Sequence, residues 1–308
     1  MQVAMHNWMR AEPIEVTIAR LAKCGYDAIE ISGEPEKYDT KYIGKLLKDH
    51  GLVCWGSVTL MMGDRNLLAK DEKARAMSVK YVKDTITMVK ELGGQEITIV
   101  PCTVGKLVAE AGAEEEWNWA VQSLKACYEH GMKEGVRLAI EPLNRFETYF
   151  ISRHDQALAL AEAVGPTCGQ REGLVVAVGP TCGICLDAFH MNIEEKDMFQ
   201  AIRNSAHRLN DFHVADNNRM ACGMGALDWK KIIGTLKEVG YDGALTVEFV
   251  APLDRTPANP YPNMLETGDV ELTPEERKFM IDHGTGDLSD EFYTWLVDET
   301  VKTLRKNM

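Results

Sequence analysis

Four times in this chain a short apolar run stops on an acid or an imidazole. Leu138-Ala139-Ile140 runs into Glu141, Gly183-Ile184-Cys185-Leu186 into Asp187, Leu209-Asn210-Asp211-Phe212 into His213, and Leu245-Thr246-Val247 into Glu248. Apolar runs this short, bounded by turn residues, read as strands. A charge at the end of a buried strand is costly unless something pairs with it. Two Glu, one Asp and one His make a donor set for a hard or borderline divalent cation such as manganese, magnesium or cobalt, and the set holds no thiolate. Any one of these residues alone would be explained by a helix cap or a surface ion pair. Four at successive strand ends are not.

The rest of the chain fits the same pattern. Strands are expected at 2–6, 28–31, 52–58 and 96–100, ahead of the four above. Helices are expected at about 14–24, 41–50, 73–92, 115–133, 155–164, 197–204, 229–239 and 290–304, several of them closed by glycine. Strand and helix in alternation with short connections predict parallel βα units. Eight such units predict a single (β/α)8 TIM barrel over residues 1–308, with the active-site groups at the carboxyl ends of the strands.

Two stretches break the regularity. Ala163-Val164-Gly165-Pro166-Thr167-Cys168-Gly169 recurs word for word as residues 177–183. We read 163–183 as a duplicated loop on the face away from the active site, with Leu174 to Val178 competing for the strand position. Residues 252–289, rich in Pro, Gly and acids, form a long loop between strand eight and the last helix, with a helical start at 273–276. A loop of that length at the active-site end is expected to be a lid or an interface arm.

Composition narrows the function. The formal charge of −13 argues against a general affinity for nucleic acid or an anionic membrane. No run approaches the roughly 20 apolar residues that span a bilayer, and the start of the chain lacks the features of a signal peptide. The eight cysteines show no compact spacing, so reduced thiols and a cytoplasmic location are expected. Cys182 and Cys185 form a C-x-x-C, but Cys185 falls within a strand and no matching pair exists.

Polar companions follow three of the strand ends. Glu147 lies six residues beyond Glu141, His190 three beyond Asp187, and Arg219 six beyond His213. In the loops after those strands, the three can converge on a substrate beside the metal. Trp8 either lines the pocket or covers the barrel mouth. Asn144, Asn217 and Asn218 read equally well as turn residues.

At these residues the chain resembles the ketose 3-epimerases, the D-tagatose and D-psicose (D-allulose) 3-epimerase group of the xylose-isomerase-like barrels. The resemblance runs from Leu21 to Phe249. It includes Gly25-Tyr26-Asp27-Ala28-Ile29-Glu30-Ile31, Gly63-Asp64-Arg65-Asn66-Leu67, residues 141–147, residues 186–192 and Tyr241-Asp242-Gly243. It implies one divalent ion per chain, manganese first and cobalt or magnesium as substitutes, held by Glu141, Asp187, His213 and Glu248. It implies substrate contacts at Glu147, His190 and Arg219, and Glu141 and Glu248 as the acid/base pair that inverts carbon 3 of a free ketohexose through an enediolate. A homodimer or homotetramer is expected, with a small sugar as the partner. The duplication and the long loop depart from that group. Related barrels with the same ligand set are sugar isomerases acting like hydroxypyruvate isomerase, or metal-dependent lyases on 3-oxo glycosides. An endonuclease of this fold would want more His and a basic rim. A non-catalytic subunit would not need the ligand set.

Overall fold

Strand parity explains the architecture. Along most strands one set of alternate residues is aliphatic and the other small or polar, and each set faces one side of the sheet. In the computed structural model, which describes residues 1–166, 170–171, 174–175, 181–266, 274 and 288–308, the long strands are β1 (Gln2–His6), β2 (Ala28–Ser32), β3 (Val53–Val58), β4 (Glu96–Ile99), β5 (Arg137–Ile140), β8 (Cys182–Asp187), β9 (Leu209–Val214) and β10 (Ala244–Val247). They close into one parallel barrel in that order, β10 pairing back onto β1. The expected (β/α)8 fold is the observed one.

The helices are α1 (Ile14–Cys24), α2 (Thr40–Asp49), α3 (Glu72–Glu91), α4 (Ala113–Glu134), α5 (His154–Val164), α6 (Ala188–Glu194), α7 (Met198–Ser205), α8 (Trp229–Glu238) and α9 (Asp290–Asn307). Several start on a side chain that accepts a first-turn N–H, among them Asp39, Asp71, Asp197, Asp228 and Ser289. Each such cap is worth about 1 kcal/mol. Gly25 and Gly135 end α1 and α4 at φ 83° and 76°, a conformation that favours glycine.

Two apolar regions result. The larger packs outward-facing Val3, Ile29, Ile97, Ile140, Leu186, Phe212 and Val247 against the helices. The smaller is a separate cluster of Ala4, Ala28, Trp55 and Ala244. Ala4, Ala28 and Ala244 share the parity of His6, Glu30, Thr246 and Glu248, and Trp55, at a register shift in β3, donates to Asp211, which assigns all four to the barrel interior. Polar residues therefore occupy the upper interior and a small apolar plug sits below. The helical ring closes where Tyr26 donates to the Val297 carbonyl at 2.9 Å and Arg20 binds Glu12, Asp290 and Thr294.

Two sequence expectations change. The sequence pattern places a loop between strand six and the helix at 197, but α6 occupies it, because Asp187 caps its first turn at Phe189 N, 2.6 Å away. His190 therefore stands on a helix. Leu174 does not compete for the barrel. Leu174–Val175 (β7) pairs antiparallel with Gln170–Arg171 (β6), and Cys182–Asp187 is the sixth barrel strand. Residues 167–169, 172–173 and 176–180 of the duplication lie outside the described residues. So does most of the expected helical start at 273–276, along with 267–272 and 277–287 of the long loop. The described part of that loop packs on the barrel: Met264 is buried, Leu265 bridges Leu288, and Tyr261 stacks on Phe292 and Trp295 of α9.

Candidate metal centre

Sheet register and parity bring the four strand-end residues together. Asp187 pairs with His213 across β8 and β9, and His213 pairs with Thr246 across β9 and β10. Glu141 and Glu248 follow β5 and β10 by one residue, and their backbones bond on to the neighbouring strands at Ile99 and Val214. Ligand atoms of Glu141, Asp187, His213 and Glu248 all lie within 4.8 Å of one another, and all four residues are buried. His213 Nδ1 is 3.2 Å from Glu141 Oε1 and 3.2 Å from Glu248 Oε2.

The companions gather above them. Arg219 reaches Asp187 Oδ2 with Nη1, and Glu248 Oε2 at 3.0 Å with Nη2, its guanidinium 4.8 Å over the Phe189 ring. Its backbone sits at φ 61°, uncommon outside glycine. Buried Asp216 organises that loop by accepting from Gly223 N (2.8 Å), Leu227 N (3.0 Å) and Trp229 Nε1 (3.0 Å). His190 Nε2 stands 3.8 Å from Asp187 Oδ2. Asn144 Nδ2 donates to Glu147 Oε1 at 2.7 Å and contacts His190 Nδ1 at 2.8 Å. Asn144 is thus more than a turn residue. Bidentate Arg145–Glu194 bonds at 2.9 Å fasten the loop of Glu147 to α6 and His190.

The electrostatics suit a cation. Burial raises the Glu141 carboxyl even though His213 pulls it down. Burial acts the same way on Glu248, but Arg219 together with His213 and His6 holds the group well below the carboxylate range. Burial alone would lower His213, yet Cys185 and the carboxylates of Glu141, Glu30 and Asp211 raise it well above the usual imidazole value. Glu141 Oε1, Glu248 Oε2 and His213 Nδ1 are buried without a hydrogen bond inside the protein. With His213 neutral, as a ligating imidazole must be, three carboxylates against one guanidinium leave two negative charges in this immediate set. Buried oxygen and nitrogen donors with no hydrogen bond inside the protein and with that charge fit a divalent cation.

Sequence reasoning passed over a layer beneath. Glu30 Oε2 and Asp211 Oδ2 each lie 3.3 Å from His213 Nε2, and the buried His6 ring packs edge-on to His213 at 4.8 Å. Burial and the charge of Asp211 push Glu30 up to about 8, and burial takes His6 down to about 3. A signal was present: Glu30 interrupts an apolar strand, and Asp211 shares strand parity with His213.

Above the centre opens a cavity of about 330 Å3. Glu141, Glu147, His190, Arg219 and Glu248 line its polar end, and Trp8, Met61 and Val250 are among its apolar walls. Trp8 is thus a wall of this cavity.

This barrel and this strand-end cluster define a known class. A model of the xylose isomerase-like TIM barrel family matches residues 18–267, and the chain belongs to that family. Among its relatives, L-ribulose 3-epimerase of Mesorhizobium japonicum is 30% identical over 236 residues, covering 76% of this chain and 75% of that one. D-psicose 3-epimerase of Agrobacterium fabrum is 28% identical over 240 residues, with 75% and 77% covered. A solved structure of L-ribulose 3-epimerase superposes with a TM-score of 0.78 at 23% identity, covering 99% of this chain and 95% of the other, which speaks to the fold. The chain is an enzyme of the isomerase class, as those epimerases are. Among the described residues, no helix is long and apolar enough to cross a membrane.

Proposed function

We propose that the chain is a divalent-metal-dependent ketose 3-epimerase that inverts carbon 3 of a free ketohexose of the D-tagatose, D-psicose (D-allulose) or D-fructose type. One observation carries the reading: of four buried, mutually close ligand residues, Glu141 and Glu248 line a cavity whose other polar side chains stand within reach of a sugar. Glu141, Asp187, His213 and Glu248 would hold the ion, with manganese first and cobalt or magnesium as substitutes. When bound, the ion supplies Lewis-acid stabilisation of negative charge developing at a ketone and its neighbouring hydroxyl.

The protein side chains do the rest. Glu141 and Glu248 come from different strands and both line the cavity, and in this reading a sugar held there meets one carboxylate on each face of carbon 3. One removes the proton and the other returns a proton to the opposite face of the planar enediolate. The reverse reaction exchanges their roles, so each must serve as acid and as base. Arg219 and His190 hold the oxygens at carbons 1 and 2, and Glu147, tied to His190 through Asn144, fixes that end. Trp8 lines the wall.

We read the protein as a cytoplasmic homodimer or homotetramer. Exposed Leu107, Val108 and Phe146 support self-association.

The test is incubation of manganese-loaded protein with a panel of ketoses in deuterated water. Label at carbon 3 of both epimers supports the proposal. Label at carbon 1 with aldose formation would replace it with aldose–ketose isomerisation.

A further inference from the structure

We infer that Asp211, anchored by Trp55, is the positioning residue that selects the tautomer of His213 and thereby sets the affinity of the centre for its cation. The inference rests on the metal reading above and deepens it.

His213 faces carboxylates at both ring nitrogens, Glu141 and Glu248 at Nδ1 and Asp211 and Glu30 at Nε2. A neutral imidazole carries one N–H, and a metal can bind only the other nitrogen. If the proton sat on Nδ1, it would occupy the position the ligand cluster needs. The proton must be drawn to Nε2, by an acceptor fixed in place.

Asp211 meets that need. It lies two residues before His213 on β9, on the same face of the strand. Its Oδ1 accepts from Trp55 Nε1 at 3.1 Å, and an indole N–H can only donate. Tyr241 OH is 3.4 Å from the same oxygen and gives its proton to the Ala244 carbonyl at 2.6 Å. One oxygen of Asp211 is thus held from below, leaving Oδ2 buried, without a hydrogen bond of its own, and 3.3 Å from His213 Nε2. Glu30 comes equally near, but neither of its oxygens has any hydrogen bond to hold it. Position therefore comes from Asp211. An acceptor on the far nitrogen of a ligating histidine fixes the ring and strengthens the donor nitrogen.

Asp211→Asn keeps the shape and removes the preference, because the amide NH2 can donate to Nε2 and send the imidazole proton to Nδ1. Mn2+ is titrated into full-length wild type, D211N, E30Q and W55F, with free Mn2+ read by electron paramagnetic resonance and melting followed in parallel in chelator. The expected result is a 10- to 100-fold loss of Mn2+ affinity in D211N, against a change under about threefold in E30Q, with metal-free melting of both near wild type. W55F, which loses only the anchor, shifts affinity in the same direction by less, and carries the test if D211N does not fold. D211N or W55F binding Mn2+ as wild type does, or E30Q taking the larger loss, overturns the inference while leaving the metal centre intact. A wild-type chain that takes up no Mn2+ removes the metal reading itself.

Discussion

Glu141 and Glu248 make different use of one burial. Both are buried beside His213, yet only Glu248 is neutralised by Arg219 at 3.0 Å. If both exchange protons with carbon 3, neither can be replaced by its amide. E141Q and E248Q are each expected to lose about 10²–10⁴ in kcat on a ketose while keeping the far-ultraviolet spectrum of the wild type. Arg219 offers two nitrogens to two carboxylates, and a lysine offers one ammonium. R219K is expected to lower kcat/KM roughly 10- to 100-fold, read from initial rates. Ordinary turnover in E141Q or E248Q would remove their assignment as acid and base.

At the scale of elements, the site is as well built as its connections. The loop after β5 carries Glu147, α6 carries His190, and the Arg145–Glu194 pair joins them. Burial would raise Glu194, but the bonds from Arg145 prevail and hold it below its ordinary 4.5. A lowered folded value means the pair contributes stability above the unfolded pKa and loses it as pH falls through the folded one. E194Q should therefore flatten the fall in melting temperature as pH drops from about 5 toward about 3; an unchanged slope would count against the link. The barrel strands and most helices were legible because apolar period and glycine stops coincide there. The short α6 was not, because its start depends on Asp187 serving as strand end and helix cap at once. Glu30 and Asp211 were harder to read: each leaves only a parity signal within its own strand, and what marks them is contact with His213, which for Glu30 crosses from β2 to β9.

The whole molecule divides into a helix-facing apolar ring and a polar barrel interior over a small plug of Ala4, Ala28, Trp55 and Ala244. Phe212, wholly buried in the ring between Asp211 and His213 on β9, is where the two meet. F212A should cost about 3–5 kcal/mol in denaturant unfolding. Stability should also answer to the ion: the melting temperature should fall in chelator and recover with added Mn2+, since a ligand of the native state alone adds about 2.7 kcal/mol at a hundred times its Kd. Most direct is a crystal of the protein grown with Mn2+ and measured at the manganese edge. One anomalous peak bound by Glu141, Asp187, His213 and Glu248 is the expected result. Manganese absent from those four side chains, or bound elsewhere on the chain, would contradict it.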